Sequence, residues 1–384
     1  MRKIAIFTAT RAEYGLFYHL IKAIQADENL QLQLIVSGTH LSPAYGETWQ
    51  EIDADGISID EKVEMLLSSD TPVGVLKSMG LATIGFADAL ERLKPDLLLV
   101  LGDRYEALAM AEAALIMKIP IGHIHGGELT AGAYDDAIRH AITKMAVLHF
   151  VAAEAYRKRV IQMGEHPECV FNVGALGLEQ LAKSSRYTLS ELGEKLNFAL
   201  KPSYFLVVFH PVTIGDESIE AALEALLDIL ANWPEHQIVF TYPNADNGGH
   251  RIIRLIEQYQ REFPDRILCV RSLGHKLFPS VVSHAKMVIG NSSSGIIEVP
   301  FFNIPTVNIG SRQLGRLSAE SVIHSGTDYA SIDTAVKKAI DCGSNKKFEA
   351  VKNPYGDGEV SSRILPRLKE CPLSVSKAFR DIDF

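Results

Sequence analysis

Short apolar runs alternate with amphipathic stretches along the whole chain. In the first half the runs KIAIFTA (3–9), LQLQLIVSG (30–38), LLLVLG (97–102), IPIGHIH (119–125), HFVAA (149–153) and VFNVG (170–174) read as strands. Between them, EYGLFYHLIKAIQ sets Leu16, Leu20, Ile21 and Ile24 on one helical face, and EALAMAEAALIMK is dense in strong helix formers. Near-continuous apolar strands separated by helices predict an α/β fold, a parallel sheet covered on both sides. The second half repeats the scheme with YFLVVFHP (204–211), QIVFTYP (237–243), ILCVRS (267–272), MVIGNSS (287–293) and PTVNIG (305–310). The polar stretch 184–202 carries no strand signal and reads as a connection plus a helix. The helical pattern around Ser361 to Lys369 fits either half.

A chain of 384 residues suggests two domains. The expected division is 1–178, with a C-terminal helix at 366–384, and 179–365. Open α/β sheets bind ligands beyond the carboxyl ends of their strands. Two such sheets facing each other make a cleft suited to a small molecule. In the first half those ends read Thr10-Arg11-Ala12-Glu13, Ser37-Gly38-Thr39-His40, Gly102-Asp103-Arg104-Tyr105-Glu106 and His125-Gly126-Gly127-Glu128. In the second they read His210-Pro211-Val212-Thr213, Pro243-Asn244-Ala245-Asp246, Arg271-Ser272, Asn291-Ser292-Ser293-Ser294-Gly295 and Gly310-Ser311-Arg312. Polar groups at nearly every strand end favour a small-molecule enzyme over a scaffold.

Composition narrows the classes. The chain is 47% hydrophobic and 22% charged, as in ordinary globular proteins. A formal net charge of −9 gives no bulk support for nucleic-acid or anionic-membrane binding, so a phosphate site has to be built locally. Cys169, Cys269, Cys342 and Cys371 form no CxxC pair, which fits a reducing compartment. The apolar run Ile4 to Phe7 is too short for a signal peptide, and no run is expected to reach the roughly 20 apolar residues of a membrane span. A cytoplasmic location is expected.

GNSSSGIIEVP follows a strand and is expected to open a helix near Gly295. Free N–H groups and serine hydroxyls there suit a phosphate. A serine N-cap is the plainer account, but three serines exceed what a cap needs. There is no GxxxxGK[ST], and no GxGxxG follows the first strand, so a dinucleotide cofactor has no support. Arg11, Arg104 and Arg312, with His210, would together suit a diphosphate. Glu298, on the helix after the serines, is either a solvent-facing charge or an acceptor for ribose hydroxyls. Asp103 tops a buried strand, where desolvation would suit acid/base work; alternatively it caps the next helix. Asp135 and Asp136 lie at a helix start, and Asp135 is spaced for an ion pair with Arg139. His123 and His125, two apart on a strand, would face one side and with Glu128 or Asp135 could ligate zinc or iron. Arg104 nearby and the lack of tight ligand spacing argue against a metal.

TATRAEYG, GDRYEALA, HIHGGELTAGAYDDAIRHAITKMAVLHFVAAEAYRKRVIQMGE, FHPVT, GNSSSGIIEVP and NIGSRQLGR closely resemble the hydrolysing UDP-N-acetylglucosamine 2-epimerases of bacterial sialic acid synthesis. The resemblance spans about residues 3 to 365. It implies two Rossmann-like domains facing a central cleft, the GT-B arrangement, with a UDP-sugar substrate, UDP as product, and no metal or other cofactor. It implies Arg11, Ala12 and Arg104 on the nucleotide from the first domain. His210, Ser292 and Ser293 would hold the phosphates, Asn244 and the backbone near Val270 the uridine, Glu298 the ribose, and Arg312 would lie close by. Asp103 and Asp135 match acid/base positions. Related enzymes often have a glutamate where this chain has His125, so His125 or Glu128 takes that role. A homodimer or homotetramer is implied.

The implied chemistry is elimination of UDP to a glycal, then hydration to free N-acetylmannosamine. His210 stands near the leaving group, and Asp103, Asp135 and His125 or Glu128 move protons. Rival readings are the same chemistry on a UDP-2,4-diacetamido-6-deoxy sugar of the legionaminic route, a non-hydrolysing epimerase, a glycosyltransferase and a nucleotide-sugar sensor.

Overall fold

The apolar runs of the first half all become strands of one sheet. In the computed structural model, which describes residues 1–69, 71–130, 134–210, 219–243, 249–344, 348 and 351–381, two compact units are separable. The first comprises Met1–Gln180 and Gly358–Phe384. Its order is β1 (Arg2–Thr8), α1 (Arg11–Ala26), β2 (Leu30–Ser37), α2 (Trp49–Ala54), β3 (Glu61–Val63), α3 (Pro72–Leu93), β4 (Leu97–Leu101) and α4 (Tyr105–Ile116). It continues with β5 (Ile121–Ile124), α5 (Tyr134–Met145), β6 (Leu148–Val151), α6 (Glu154–Gln162), β7 (Val170–Asn172) and α7 (Leu176–Lys183), whose last residues fall on the second unit's side of the division. The strands pair in the order β3-β2-β1-β4-β5-β6-β7, all parallel.

The period-2 alternation of a strand explains the two-sided core. Ile4 and Ile6 pack with Phe17, Leu20, Ile21 and Ile24 of α1 on one face. Ala5 and Phe7 pack with Phe86 of α3 and Met110 of α4 on the other. Helix α1 starts at a capping box: Glu13 N–H donates to Thr10 Oγ1 at 3.2 Å, and the Glu13 carboxylate accepts from Thr10 N–H.

The second unit, Leu181–Asp357, repeats the plan. It holds α8 (Leu189–Leu196), β8 (Tyr204–Val208), α9 (Ile219–Ala231), β9 (Ile238–Thr241), α10 (Gly249–Glu262), β10 (Ile267–Val270) and α11 (Gly274–His284). Then come β11 (Ala285–Gly290), α12 (Ser293–Ile297), β12 (Thr306–Ile309), β13 (Val322–Ser325) and α13 (Tyr329–Ser344). The parallel sheet runs β10-β9-β8-β11-β12-β13. Phe205 and Val207 pack under α9 and α13, whereas Tyr204, Leu206 and Val208 pack with Val281 and Val282 of α11.

Four expectations are corrected. The edge strands β3, EKV, and β13, VIHS, carry no long apolar run and escape a periodicity reading; very short edge strands also resist pairing with other chains. The final helix, α14 (Val360–Glu370), lies whole in the first unit, where Ile364 and Leu368 join the core around α1, so residues 358–365 go with the first unit. Strand β5 ends at Ile124, one residue before His125. Finally, α3 is long and apolar enough to cross a membrane by length and composition. One face of it, with Ala82, Phe86, Ala89 and Leu90, is buried in the domain core, while Val73, Leu76 and Ile84 are exposed.

A charge cluster ties the C-terminal segment to this unit. Glu165 is 3% exposed and accepts from Lys144 Nζ at 2.5 Å, Lys377 Nζ at 2.7 Å and His149 Nε2 at 3.0 Å. Burial pushes its carboxyl up, but the three donors outweigh burial and hold it down to about 2. A carboxyl depressed in the folded state stabilises above its unfolded pKa, and that contribution is lost as pH falls towards 2. Glu165→Gln should therefore cost about 3 kcal/mol at neutral pH. In urea unfolding the deficit should shrink as pH falls from about 5 to about 3.

Candidate functional site

Both sheets reverse their strand order at one place, and ligand sites of open α/β sheets lie at such points. In the first sheet the chain runs outward from β1 to β3, then returns to β4 beside β1. The carboxyl ends of β1 and β4 carry Thr8 to Glu13 and Gly102 to Glu106. In the second sheet the switch lies between β8 and β11, whose ends carry His210 and Asn291 to Ser293.

In the first unit the ionisable groups gather around Arg139, on α5, whose side chain is 5% exposed. One guanidinium nitrogen donates to Asp103 Oδ2 in a short ion pair and to Thr130 Oγ1 at 2.9 Å. The other donates to the Glu128 carbonyl at 3.0 Å and lies 3.5 Å from Asp136 Oδ1. Asp136 Oδ1 also accepts the Thr130 N–H at 2.8 Å. One side chain thus fixes the end of β4, the turn after β5 and the start of α5. Two expectations change. Asp103 does not cap α4; Arg104 occupies the N-cap without a side-chain bond, and Asp103 is partly exposed and ion-paired. The aspartate facing Arg139 is Asp136, one turn away at i,i+3; Asp135 is half-buried in the same first turn.

His123 and His125 part company, because the strand alternation stops between them. His123 is fully buried; its Nε2 donates to the Gly102 carbonyl at 2.8 Å, and its Nδ1 lies 3.0 Å from Thr143 Oγ1. Burial pushes it down to about 3, so it is a neutral strut under the Asp103 turn. His125 takes φ +64°, a left-handed backbone uncommon outside glycine, while its N–H still donates to the Phe150 carbonyl. Its ring turns to Glu128, with Nδ1 3.2 Å from Oε1. Gly127 has φ +79°, and a Cβ there would lie 2.7 Å from the Tyr156 carbonyl oxygen, so the turn needs glycine. Arg159 donates to the Gly127 carbonyl.

Arg104 is held by Glu106 through two bonds, at 2.7 and 3.1 Å, and lies 3.9 Å from Glu13. Burial pushes the Glu13 carboxyl up to about 7, with the Ala9 N–H and Arg104 offsetting it in part. Arg11 and Ala12 are exposed on the first turn of α1, and Arg11 pairs with Glu51 at 2.9 Å.

In the second unit Asn291 is the fixed point. It is fully buried, accepts the His210 N–H at 2.7 Å and donates to the His210 carbonyl at 2.8 Å, closing the gap between β8 and β11. Its own carbonyl accepts from Arg312 at 3.1 Å and from Gln313 at 2.9 Å. Gly290 has φ +142°, and a Cβ would run into the Val208 carbonyl. Helix α12 begins at Ser293, two residues before the expected Gly295. Ser292 is its N-cap, accepting the Ser294 N–H at 3.4 Å, and Ser293 is half-buried on the first turn. Glu298 is half-buried at the C-cap of α12; desolvation raises its pKa, and the Ser294 hydroxyl opposes that. Val270 ends the edge strand β10, which β9 separates from β8, and its carbonyl accepts the Tyr242 N–H. Asn244 lies outside the described residues, as do Pro211, Val212, Thr213, Ala245 and Asp246.

Sequence reasoning named Arg139 only as a partner for Asp135, and Asn291 only as the start of a serine-rich stretch. The signal for Asn291 was a polar residue directly after a strand glycine. For Arg139, at the centre of DDAIRHAI, no local signal says that its fork reaches β4.

A family model described as UDP-N-acetylglucosamine 2-epimerase matches residues 22–369. A Campylobacter jejuni protein named GDP/UDP-N,N'-diacetylbacillosamine 2-epimerase (hydrolyzing) is 41% identical over 88% of this chain and 87% of its own. A Legionella pneumophila protein named UDP-N,N'-diacetylbacillosamine 2-epimerase (hydrolyzing) is 37% identical, over 97% of both. Among solved structures, the S. aureus MnaA–UDP co-structure superposes with a TM-score of 0.76 at 20% identity, over 99% of this chain and 100% of that one, which establishes the shared two-sheet fold.

Replacing Arg139 with Met should remove one donor from the Asp103 carboxylate and from three other oxygens, on Glu128, Thr130 and Asp136. Urea unfolding should show a loss of about 3–5 kcal/mol, and Arg139→Lys should recover only part of it because a point charge cannot span the fork.

Proposed function

The chain belongs to the UDP-N-acetylglucosamine 2-epimerase family, and we propose that it is a hydrolysing 2-epimerase acting on a UDP-linked 2,4-diacetamido-6-deoxy sugar. The observation that carries the substrate is the pair of relatives named for N,N'-diacetylbacillosamine, similar at 41% and 37% over most of the chain. UDP-N-acetylglucosamine, expected from sequence, is the second reading, and the family description favours it.

The chemistry divides between two sets of residues. In the second unit, His210, Ser292, Ser293 and Arg312 offer donors around the β8/β11 switch, suited to a diphosphate, with Glu298 accepting from the ribose. Arg11, Ala12 and Arg104 contribute from the first unit. Asn244 and Val270 belong to the uridine end of this reading. In the first unit, Asp103, Asp135 and the His125–Glu128 turn supply acid/base groups. The C1–O bond to UDP breaks, and the pair of electrons leaves with the diphosphate. A base takes the proton from C2, leaving a C1=C2 glycal. Water then adds its oxygen to C1 and gives one proton to a base, while an acid returns a proton to C2 on the opposite face. The products are UDP and a free sugar with the manno configuration.

The test is to incubate the full chain with UDP-N,N'-diacetylbacillosamine and, separately, with UDP-N-acetylglucosamine, in deuterated water. Free UDP and a sugar deuterated at C2 are expected, with higher kcat/KM for the diacetamido substrate. Asp103→Asn should lower kcat by about 10²–10⁴-fold while UDP binds as before. An intact epimeric nucleotide sugar, or UDP release only with an acceptor present, sinks the proposal.

A further inference from the structure

The turn after β5 contains two groups able to move a proton, His125 and Glu128, in contact with each other. Their hydrogen bonds are not equivalent. His125 Nδ1 lies 3.2 Å from Glu128 Oε1. On the other side of the ring, the backbone N–H of Leu176 donates to His125 Nε2 at 3.3 Å. An amide N–H cannot accept, so Nε2 must be the unprotonated nitrogen of the ring. The proton of neutral His125 therefore sits on Nδ1, where it is donated to the Glu128 carboxylate. Protonating Nε2 would set one N–H against another. Leu176 is also the first residue of α7, whose positive end disfavours an added charge on the ring.

Both nitrogens of His125 are thus committed. The backbone enforces this: φ +64° at His125 and +79° at Gly127 fold the turn so that Glu128 returns to the ring at i,i+3. Around the pair, Arg139 binds the Glu128 carbonyl and Asp103, and Arg159 binds the Gly127 carbonyl. Among the described residues, these two cations, Asp103 and Asp136, which accepts the Thr130 N–H, are the charged groups set against the turn by α5, α6 and the end of β4. His123, from β5, is fully buried.

Resting on the function proposed above, we propose that Glu128 is the acid/base group of this turn and that His125 is its positioning residue, an imidazole of fixed tautomer that orients the carboxylate. The imidazole takes the backbone place of the glutamate common in related enzymes, and the carboxylate reaches the chemistry from three residues further on. In the reaction Glu128 exchanges one proton with the sugar, and His125 keeps its own throughout.

Two experiments test this. The first needs no substrate: nitrogen-15 NMR of histidine-labelled protein should show the uncharged His125 ring as the Nδ1-protonated tautomer. The Nε2-protonated tautomer overturns the proposal whatever the enzyme's substrate. The second compares variants in the C2 deuterium assay with UDP binding alongside. Glu128→Gln should lower kcat by about 10²–10⁴-fold with UDP affinity unchanged within about twofold, and Glu128→Asp should restore part of the rate. His125→Gln, which keeps a donor for the carboxylate, should cost about tenfold or less. His125→Ala should cost more than His125→Gln, because the carboxylate loses the donor that orients it. The reverse pattern, with His125→Gln inert and Glu128→Gln near wild type, assigns the proton to the imidazole. If wild type releases no UDP from either nucleotide sugar, the functional reading fails, while the NMR result still decides the arrangement of the pair.

Discussion

The first unit's polar architecture depends on a single guanidinium. Arg139 touches Asp103 at the end of β4, the Glu128 carbonyl after β5, and Thr130 and Asp136 around the start of α5. A planar fork with five donors can hold partners in several directions at once; an ammonium cannot. Because the cation is almost fully buried, it needs those anions and carbonyls as much as they need it. Side chains from three separate elements are thereby fixed relative to one another, as acid/base chemistry requires.

The two units present different chemistry at equivalent places in similar sheets. At the β1/β4 switch stand carboxylates with arginine partners: Asp103 with Arg139, and Glu13 and Glu106 with Arg104. At the β8/β11 switch stand hydroxyl, amide and imidazole groups and one exposed arginine, organised on Asn291. The first set can take and return protons. The second can receive negative charge. Topology accounts for the shared positions, since strands that diverge at a switch point leave room beyond their carboxyl ends.

Backbone conformation carries part of the specificity. Gly290 lets β11 approach the Val208 carbonyl, so that Asn291 can exchange two bonds with His210. His125 adopts the left-handed region without being glycine and swings its ring out of the strand's alternation. Such departures from the preferred backbone cluster at functional turns, where surrounding bonds hold them in place. The bonds here are the Leu176 N–H, Glu128 and the Phe150 carbonyl.

Much of the fold was legible because its information is local. Apolar runs such as LLLVLG and YFLVVFHP bury both strand faces, and that composition alone indicates a parallel sheet between helices. EKV and VIHS were not legible, because short edge strands have no need of such a run. The residue types of the site could be read at the strand ends for the same local reason. Their partners could not. Whether Asp103 caps a helix or meets Arg139, whether Asp135 or Asp136 faces that arginine, and where the His125 ring points depend on three-dimensional contacts, from 3 positions apart for Asp136 and Arg139 to 51 for His125 and Leu176. The amino-acid sequence by itself determined the fold class, the family resemblance and the turn HIHGGE as the place of interest. Only the tertiary structure decided which nitrogen of His125 is protonated, because that follows from one amide N–H at the start of a helix 51 residues further along the chain.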